Sequence, residues 1–261
     1  MALSSFLSEL SDDPTASHIG RISENDIVRV DGYDLPFPAP AFMNYGQEVA
    51  GHISSGKRDF QLLSEIVDEH GIDGPILDFA CANGRTLRWF SQRAQQQDIW
   101  GVDIDAKRIS WCQNWLSPPF NFSVVTTNPH LPFEDRYFSF IYGYSIFTHL
   151  DELFMAWLCE MRRCLQLGGL LFVTICDETS FARQLDMKKS SSVKRFATND
   201  PNTARFLEPE TQVSYKRFRQ SIFTHVKRDY FVKVCQPHLR LVGVFKGAMA
   251  VQTGLLLRRI K

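Results

Sequence analysis

Nowhere in the 261 residues does an apolar run approach the length of a membrane-spanning helix, and the opening MALSSFLSEL carries no basic stretch ahead of an apolar core. A spanning segment and an export signal are therefore not expected. Net charge is missing as well: 29 Lys and Arg balance 29 Asp and Glu. No global field draws the chain to nucleic acid or to a membrane surface, so both are disfavoured as partners. The six cysteines, at 81, 112, 159, 164, 176 and 235, form no C-x-x-C pair and no zinc-like cluster with histidine. No metal site is expected, and a cytoplasmic, reducing location fits best. What remains is a 44% hydrophobic chain sized for one α/β domain with an insertion.

The most informative stretch is PILDFACANGRTLRWF, Pro75 to Phe90. An apolar run ends in Asp78, and a turn of small residues follows through Ala80, Cys81, Ala82, Asn83 and Gly84. Leu87, Trp89 and Phe90 then resume at helical spacing. That order predicts a buried strand, a turn that admits a ligand to the backbone, and a helix whose N-terminus faces the ligand. Dinucleotide binding asks for G-x-G-x-x-G, whereas the small residues here stand at 80, 82 and 84. A carboxylate at the strand end is also awkward beside a pyrophosphate but suits a ligand bearing an ammonium group. A second apolar run, IWGVDID from Ile99, ends in Asp103, nineteen residues beyond Gly84. At the end of a neighbouring strand such a carboxylate can take both hydroxyls of a ribose.

Along the chain, residues 1 to 30 read as a polar arm. Asp31 to Pro40, with three prolines, reads as an extended strap. Helices are predicted near 57–70, 106–115 and 150–165, the last behind Asp151 as cap and ended by Gly168 and Gly169. Strands are predicted near 75–78, 98–103, 121–126, 138–145 and 170–175. This alternation implies a parallel sheet covered on both faces. After Asp177 it stops. Between Arg183 and Arg228 eleven Lys or Arg stand against four acids, among Phe196, Phe206, Tyr215, Phe218 and Phe223. Such a segment suits a cap over an anionic acceptor, or a solvated surface. Leu239–Lys246 and Met249–Arg258, separated by Gly247 and Ala248, predict a hairpin with an antiparallel last strand.

At Asp78–Arg85 and Asp103 the chain resembles the class I S-adenosylmethionine-dependent methyltransferases. Their first motif, D-x-G-C-G-x-G-R, aligns with Asp78 Phe79 Ala80 Cys81 Ala82 Asn83 Gly84 Arg85. LPFEDRYFSFIYGYSIFTHL, from Leu131, is similar to the family's fourth-strand region, and RCLQLGGLLF, from Arg163, to its turn into the fifth strand. Ala80 and Ala82 replace two glycines, Leu167 a proline, Thr127 a frequent adenine-contacting acid and Ser139 an aspartate. A leader like DGYDLPFPAP is reminiscent of a bacterial subgroup that tailors glycans and natural products. The resemblance implies a Rossmann-like, doubly wound, seven-stranded and mostly parallel sheet with an antiparallel C-terminal hairpin strand. It implies an arm and strap over residues 1–56 and a methyltransferase domain over 57–261, with the cap insertion at about 178–230.

It implies S-adenosyl-L-methionine as cofactor, with S-adenosyl-L-homocysteine as product. Asp78 would order the turn and meet the methionine ammonium, and the backbone of Ala80, Cys81, Ala82, Asn83, Gly84 and Arg85 would cradle the cofactor. Asp103 would hold the ribose, Ile104 would lie against adenine, and Thr127 and Asn128 would meet its edge. Tyr144 and Ser145 would point toward the methionine end and the acceptor. If the acceptor is a hydroxyl, a base is needed. His149 is nearest by sequence and of a residue type that titrates near neutrality; Tyr144, His130, His225 and Asp177 are further candidates. The expected activity is methyl transfer to a small molecule, foremost a hydroxyl of a sugar, glycoconjugate or natural product. The alternatives are an N-methyltransferase on a nucleobase or protein, against which the absence of N-P-P-Y at 142–145 counts, and a non-catalytic binding subunit.

Overall fold

Ile76–Phe79 (β3) is a strand because a short apolar run is bounded by Gly74 and Pro75 before it and by left-handed backbone at Ala80 after it. All four of its residues are buried, as befits a strand of a parallel sheet covered on both faces. The computed structural model describes residues 27–30, 33–38, 49–150, 153–186, 205–218, 221–236 and 238–261. Asp151, Lys188, Lys189, Lys194, Arg195, Phe196 and most of the N-terminal arm lie outside them.

In chain order the elements are β1 (Ile27–Val30), β2 (Tyr33–Pro36), α1 (Val49–Glu69), β3, β4 (Ile99–Asp103), α2 (Ala106–Trp115), β5 (Asn121–Val124) and β6 (Phe138–Gly143). They continue with α3 (Phe154–Cys164), β7 (Leu165–Ile175), α4 (Glu178–Asp186), β8 (Val213–Phe218), β9 (Ser221–Val226), α5 (Arg228–Cys235), β10 (Leu239–Met249) and β11 (Gln252–Arg259). Seven strands form one sheet in the order β10-β11-β7-β6-β3-β4-β5. The β3–β6, β6–β7 and β4–β5 pairs are parallel, and β11 runs antiparallel to both β7 and β10. Two-stranded ribbons, β1–β2 and β8–β9, stand apart from it. This is the Rossmann-like sheet expected from the sequence, antiparallel hairpin strand included.

The chain folds as two compact units. The first contains residues up to Leu63 together with Cys81–Val124. Phe60 and Phe90 meet edge to face there, with centroids 4.8 Å apart, and Leu87, Phe90, Ile99, Val102, Ile109 and Cys112 are fully buried. Gly56 lets α1 come close: a Cβ at this position would stand 2.4 Å from the Arg85 carbonyl oxygen. The second unit contains Ser64–Ala80 and Val125–Lys261. Its core is centred on β6, where Phe138, Phe140, Ile141 and Tyr142 are wholly buried, each such side chain contributing about 1.5 to 3 kcal/mol.

Three expectations need correction. No α-helix follows the turn at Ala80–Gly84; Leu87–Phe90 and Arg93–Gln95 are short 3-10 segments. Only the Arg88 amide makes a four-residue bond there, to the Gly84 carbonyl at 3.1 Å; the Trp89 amide turns to Thr86 three residues back, and the Arg88 guanidinium shares the Gly84 carbonyl and takes that of Asn83. Gly168 and Gly169 do not end α3, which stops at Cys164 and passes directly into β7. Arg259, on the last strand, donates to the carbonyls of Arg162, Arg163 and Leu165 there and so satisfies the helix end. The turn of the last hairpin lies later than expected, between Met249 and Gln252, so that Gly247 and Ala248 belong to β10.

The loop ahead of β6 is anchored by a bidentate pair. Arg163 Nε and Nη2 contact Glu160 Oε2 and Oε1 at 2.9 and 2.7 Å, Nη1 reaches Asp135 at 2.7 Å, and the Leu131 amide donates to Glu160 at 2.6 Å. Burial opposes the charge on Glu160, but these donors outweigh it and the carboxyl lies below its ordinary value. A depressed carboxyl stabilises the fold fully above the unfolded value, about 4.3, and loses that contribution as pH falls through the folded one. Wild-type protein should therefore lose melting temperature between about pH 5 and about pH 3. Glu160→Gln should start lower and lose less, and parallel melting curves would refute this account.

Candidate donor site and the loop after β6

In the first unit the turn is built around Asp103. Its Oδ2 accepts the Ala82 amide at 2.8 Å and its Oδ1 the Asp105 amide at 2.9 Å. The Cys81 amide donates to the Val102 carbonyl at 3.0 Å and that of Gly84 to the Cys81 carbonyl at 2.9 Å. Three amides of the expected cradle, those of Cys81, Ala82 and Gly84, thus hold the turn itself. Ala80 and Ala82, where the resemblance has glycine, adopt φ of 64° and 51°. Left-handed backbone costs an alanine about 1 to 2 kcal/mol, and the Asp103 bond helps to hold Ala82 in it.

The chemistry of this set fits a ribose-bearing ligand. Each Asp103 oxygen accepts one backbone N–H and retains a lone pair, and the residue is only half-buried. Beside it Ile104 is 60% exposed, and Val124, the parallel-register partner of Asp103, is 47% exposed. Two solvent-facing apolar side chains next to a free-edged carboxylate suit a flat base attached to a diol. Ile104 was legible in the sequence; Val124 was not, because only strand register brings it there.

Asn83 and Arg85 are buried. The Arg85 guanidinium pairs at 2.7 Å with Asp59 of α1, which is itself buried and also holds Arg58 at 2.9 Å. Arg85 therefore ties the turn to α1. Arg88, absent from the sequence reading, is wholly buried, and only its charge within the apolar run Leu87–Phe90 could have signalled it.

In the second unit Asp78 is buried on β3 in register with Tyr142 of β6. Thr127 and Asn128 are exposed in the loop after β5. The loop after β6 carries the remaining candidates. Tyr144 is half-buried against Phe172, at 5.4 Å, and Tyr142, at 6.3 Å. Ser145 sits at φ 58° within a closed circuit. Its amide donates to Thr174 Oγ1 at 2.7 Å, Thr174 to Gln252 Oε1 at 2.7 Å, and Gln252 Nε2 back to Ser145 Oγ at 2.8 Å. Thr148 Oγ1 donates to the Ser145 carbonyl at 2.7 Å. The β9 strand is stitched alongside: the Thr224 amide donates to the Thr148 carbonyl, the Thr224 hydroxyl to that of Leu150, and His149 Nδ1 lies 2.9 Å from the Ile222 carbonyl.

The other base candidates have structural duties. Asp177 is fully buried, with Oδ1 accepting from the Ser180 amide, the Ser180 hydroxyl and Thr253, and Arg228 at 3.6 Å from Oδ2. His225 is buried among Phe181, Phe206 and Phe223, with Nε2 against Gln184 at 3.1 Å. His130 is exposed, 3.7 Å from Glu160. Cys176 is pushed up to about 12 by burial, Gln184 countering in part, and so stays a thiol at neutral pH. Two basic residues of the 178–230 segment are engaged internally as well. Lys227 donates to the carbonyls of Glu208 and Pro209, and the Arg228 guanidinium is in ion-pair range of Asp177 and Glu178. Among the described residues no group of His, Cys, Asp and Glu is arranged to hold a metal ion, and no helix is long and apolar enough to cross a membrane.

Residues 76–169 match the family model for a methyltransferase domain. The fold is shared with a Pyrococcus horikoshii OT3 protein (TM-score 0.58, 18% identity, 85% of this chain and 96% of the other). It is shared also with magnesium protoporphyrin IX methyltransferase of Synechocystis PCC 6803, solved with S-adenosylhomocysteine bound (0.56, 12%, 84% and 90%). A third is the 1,6-didemethyltoxoflavin-N1-methyltransferase of Burkholderia thailandensis, also with S-adenosylhomocysteine (0.55, 12%, 82% of both chains). No curated protein matches the chain. Residues 76–169 thus resemble a methyltransferase domain, on a fold that two methyltransferases solved with S-adenosylhomocysteine share.

If Ala82 is held in left-handed backbone by Asp103, Ala82→Gly removes that penalty and should leave stability unchanged or raise it by up to about 1 kcal/mol, against the usual loss for glycine. Urea denaturation measures this, and a loss beyond about 1 kcal/mol would contradict the account.

Proposed function

We infer that the chain moves a methyl group from S-adenosylmethionine to a hydroxyl of a small molecule, such as a sugar, glycoconjugate or natural product. When bound, the cofactor supplies a sulfonium-activated methyl, so the protein's tasks are to align an acceptor and accept a proton. Asp103 would hold the ribose, Ile104 and Val124 would flank the base, and Asp78 would stand toward the ammonium end. Tyr144 and Ser145 would orient the acceptor.

The observation that carries the hydroxyl reading is the setting of His149. A carbonyl only accepts, so the contact from Nδ1 to the Ile222 oxygen places the ring proton on Nδ1 and leaves the Nε2 lone pair on an exposed imidazole. That is the form a general base needs. Two similarly folded proteins are named for small organic molecules, magnesium protoporphyrin IX and 1,6-didemethyltoxoflavin, and the reading keeps that size class. An anionic acceptor is proposed on the basic surplus of the cap less Lys227 and Arg228, which are engaged. A cytoplasmic location is proposed on the buried thiols of Cys81 and Cys176.

Calorimetry with S-adenosylhomocysteine is the first test. Asp103→Ala should weaken binding at least about tenfold, equal to about 1.4 kcal/mol. Donor-methyl transfer should then be screened on phosphorylated and free sugars. With an acceptor in hand, His149→Gln should lower turnover by a factor of about 100 or more while donor affinity is kept. Full turnover in that variant, or a methylated nitrogen in the product, would overturn the hydroxyl reading.

A further inference from the structure

Arg88 is a guanidinium sealed inside the first unit. Its nitrogens donate to three backbone carbonyls: Nε to Gly84 at 3.0 Å, Nη2 to Asn83 at 2.9 Å and Nη1 to Pro36 at 2.6 Å. The first two belong to the donor turn. The third lies fifty-two residues away in sequence, at the end of β2. The Phe37 ring covers the cation at 4.3 Å, and Trp111 approaches at 5.8 Å. Phe37 is 2% exposed and packs edge to face on His52 of α1 at 5.7 Å. Burial pushes Arg88 down to about 10, so it remains charged at neutral pH.

A buried cation matched only by carbonyl dipoles and ring faces is costly unless every partner is in place. The same fork therefore constrains both ends. It fixes the peptide planes at Asn83 and Gly84, next to two alanines held in left-handed backbone, and it fixes Pro36 and Phe37 against them. Lysine cannot substitute, because an ammonium lacks the planar fork that reaches three separate oxygens.

We propose that Arg88 is a positioning residue that clasps the strap at Pro36 and Phe37 to the donor turn, so that seating of the strap and binding of the donor are one coupled equilibrium. The coupling rests on the donor-site reading above; the clasp itself does not.

The test separates the two. Hydrogen exchange on the full chain, without ligand, should show the amides of Tyr33, Asp34, Leu35 and Phe37 protected in wild type and at least about tenfold less protected in Arg88→Lys. Equal protection overturns the clasp. Adding S-adenosylhomocysteine should raise strap protection in wild type, and calorimetry should show at least about tenfold weaker binding in Arg88→Lys. Phe37→Ala guards against simple misfolding, since it removes the ring over the cation but leaves the turn bonds. With a retained cooperative melt it should also weaken donor binding, several-fold. Unchanged affinity in folded Phe37→Ala and Arg88→Lys, with wild type binding normally, overturns the coupling. Failure of wild type to bind the probe, with the strap protected, would instead overturn the donor-site reading and the coupling with it.

Discussion

The Asp103 carboxylate is the constraint on which the first unit depends. It ends β4, and through its two oxygens it receives one amide from the turn after β3 and one from its own loop. A turn of small residues has little to hold it, and this one has alanine where backbone of positive φ favours glycine. Bonding to a charged acceptor is stronger than bonding to a neutral one, so the carboxylate can hold Ala82 where sterics would release it. On the reading proposed above, the same atom pair would have a second role. An oxygen aligned by the backbone is an oxygen whose remaining lone pair points in a fixed direction, as selective recognition of a diol requires.

The second unit solves a comparable problem without charge. Ser145 lies in left-handed backbone, and its amide, side chain and carbonyl are each tied to a hydroxyl or carboxamide. The donors run in one sense around the circuit from Ser145 to Thr174 to Gln252 and back. Such directionality fixes the proton positions and gives the loop after β6 one conformation. Tyr144 and His149 inherit their placement from it and from the β9 strand stitched alongside.

Much of this was legible. The parallel sheet follows from alternation of apolar runs and helical periods, its seven strands from the resemblance, and Asp78, Gly84 and Asp103 stood out by their spacing. Where the reading failed, the cause was a partner distant in sequence. The helix predicted from Leu87, Trp89 and Phe90 is replaced by 3-10 turns around Arg88, whose bond to the Pro36 carbonyl no periodicity encodes. The end of α3 is set by Arg259, nearly a hundred residues on, and so Gly168 and Gly169 lost the role that local rules gave them. Gln252 and Thr174 gave no motif, since a lone amide and a strand threonine signal nothing until register joins them. Arg85 matched a motif, yet its buried pairing with Asp59 shows the residue serving the scaffold.

The Ser145–Gln252 bond spans 107 positions, and β11 enters the sheet only by pairing with β7 and β10. During synthesis at about 5 to 20 residues per second, the loop after β6 would emerge several seconds before the residues that fix it. The ribosome-bound chain can thus form β3, β4 and the Asp103 turn while the loop after β6 is still unconstrained. The second unit acquires its closed circuit only once β10 and β11 have emerged.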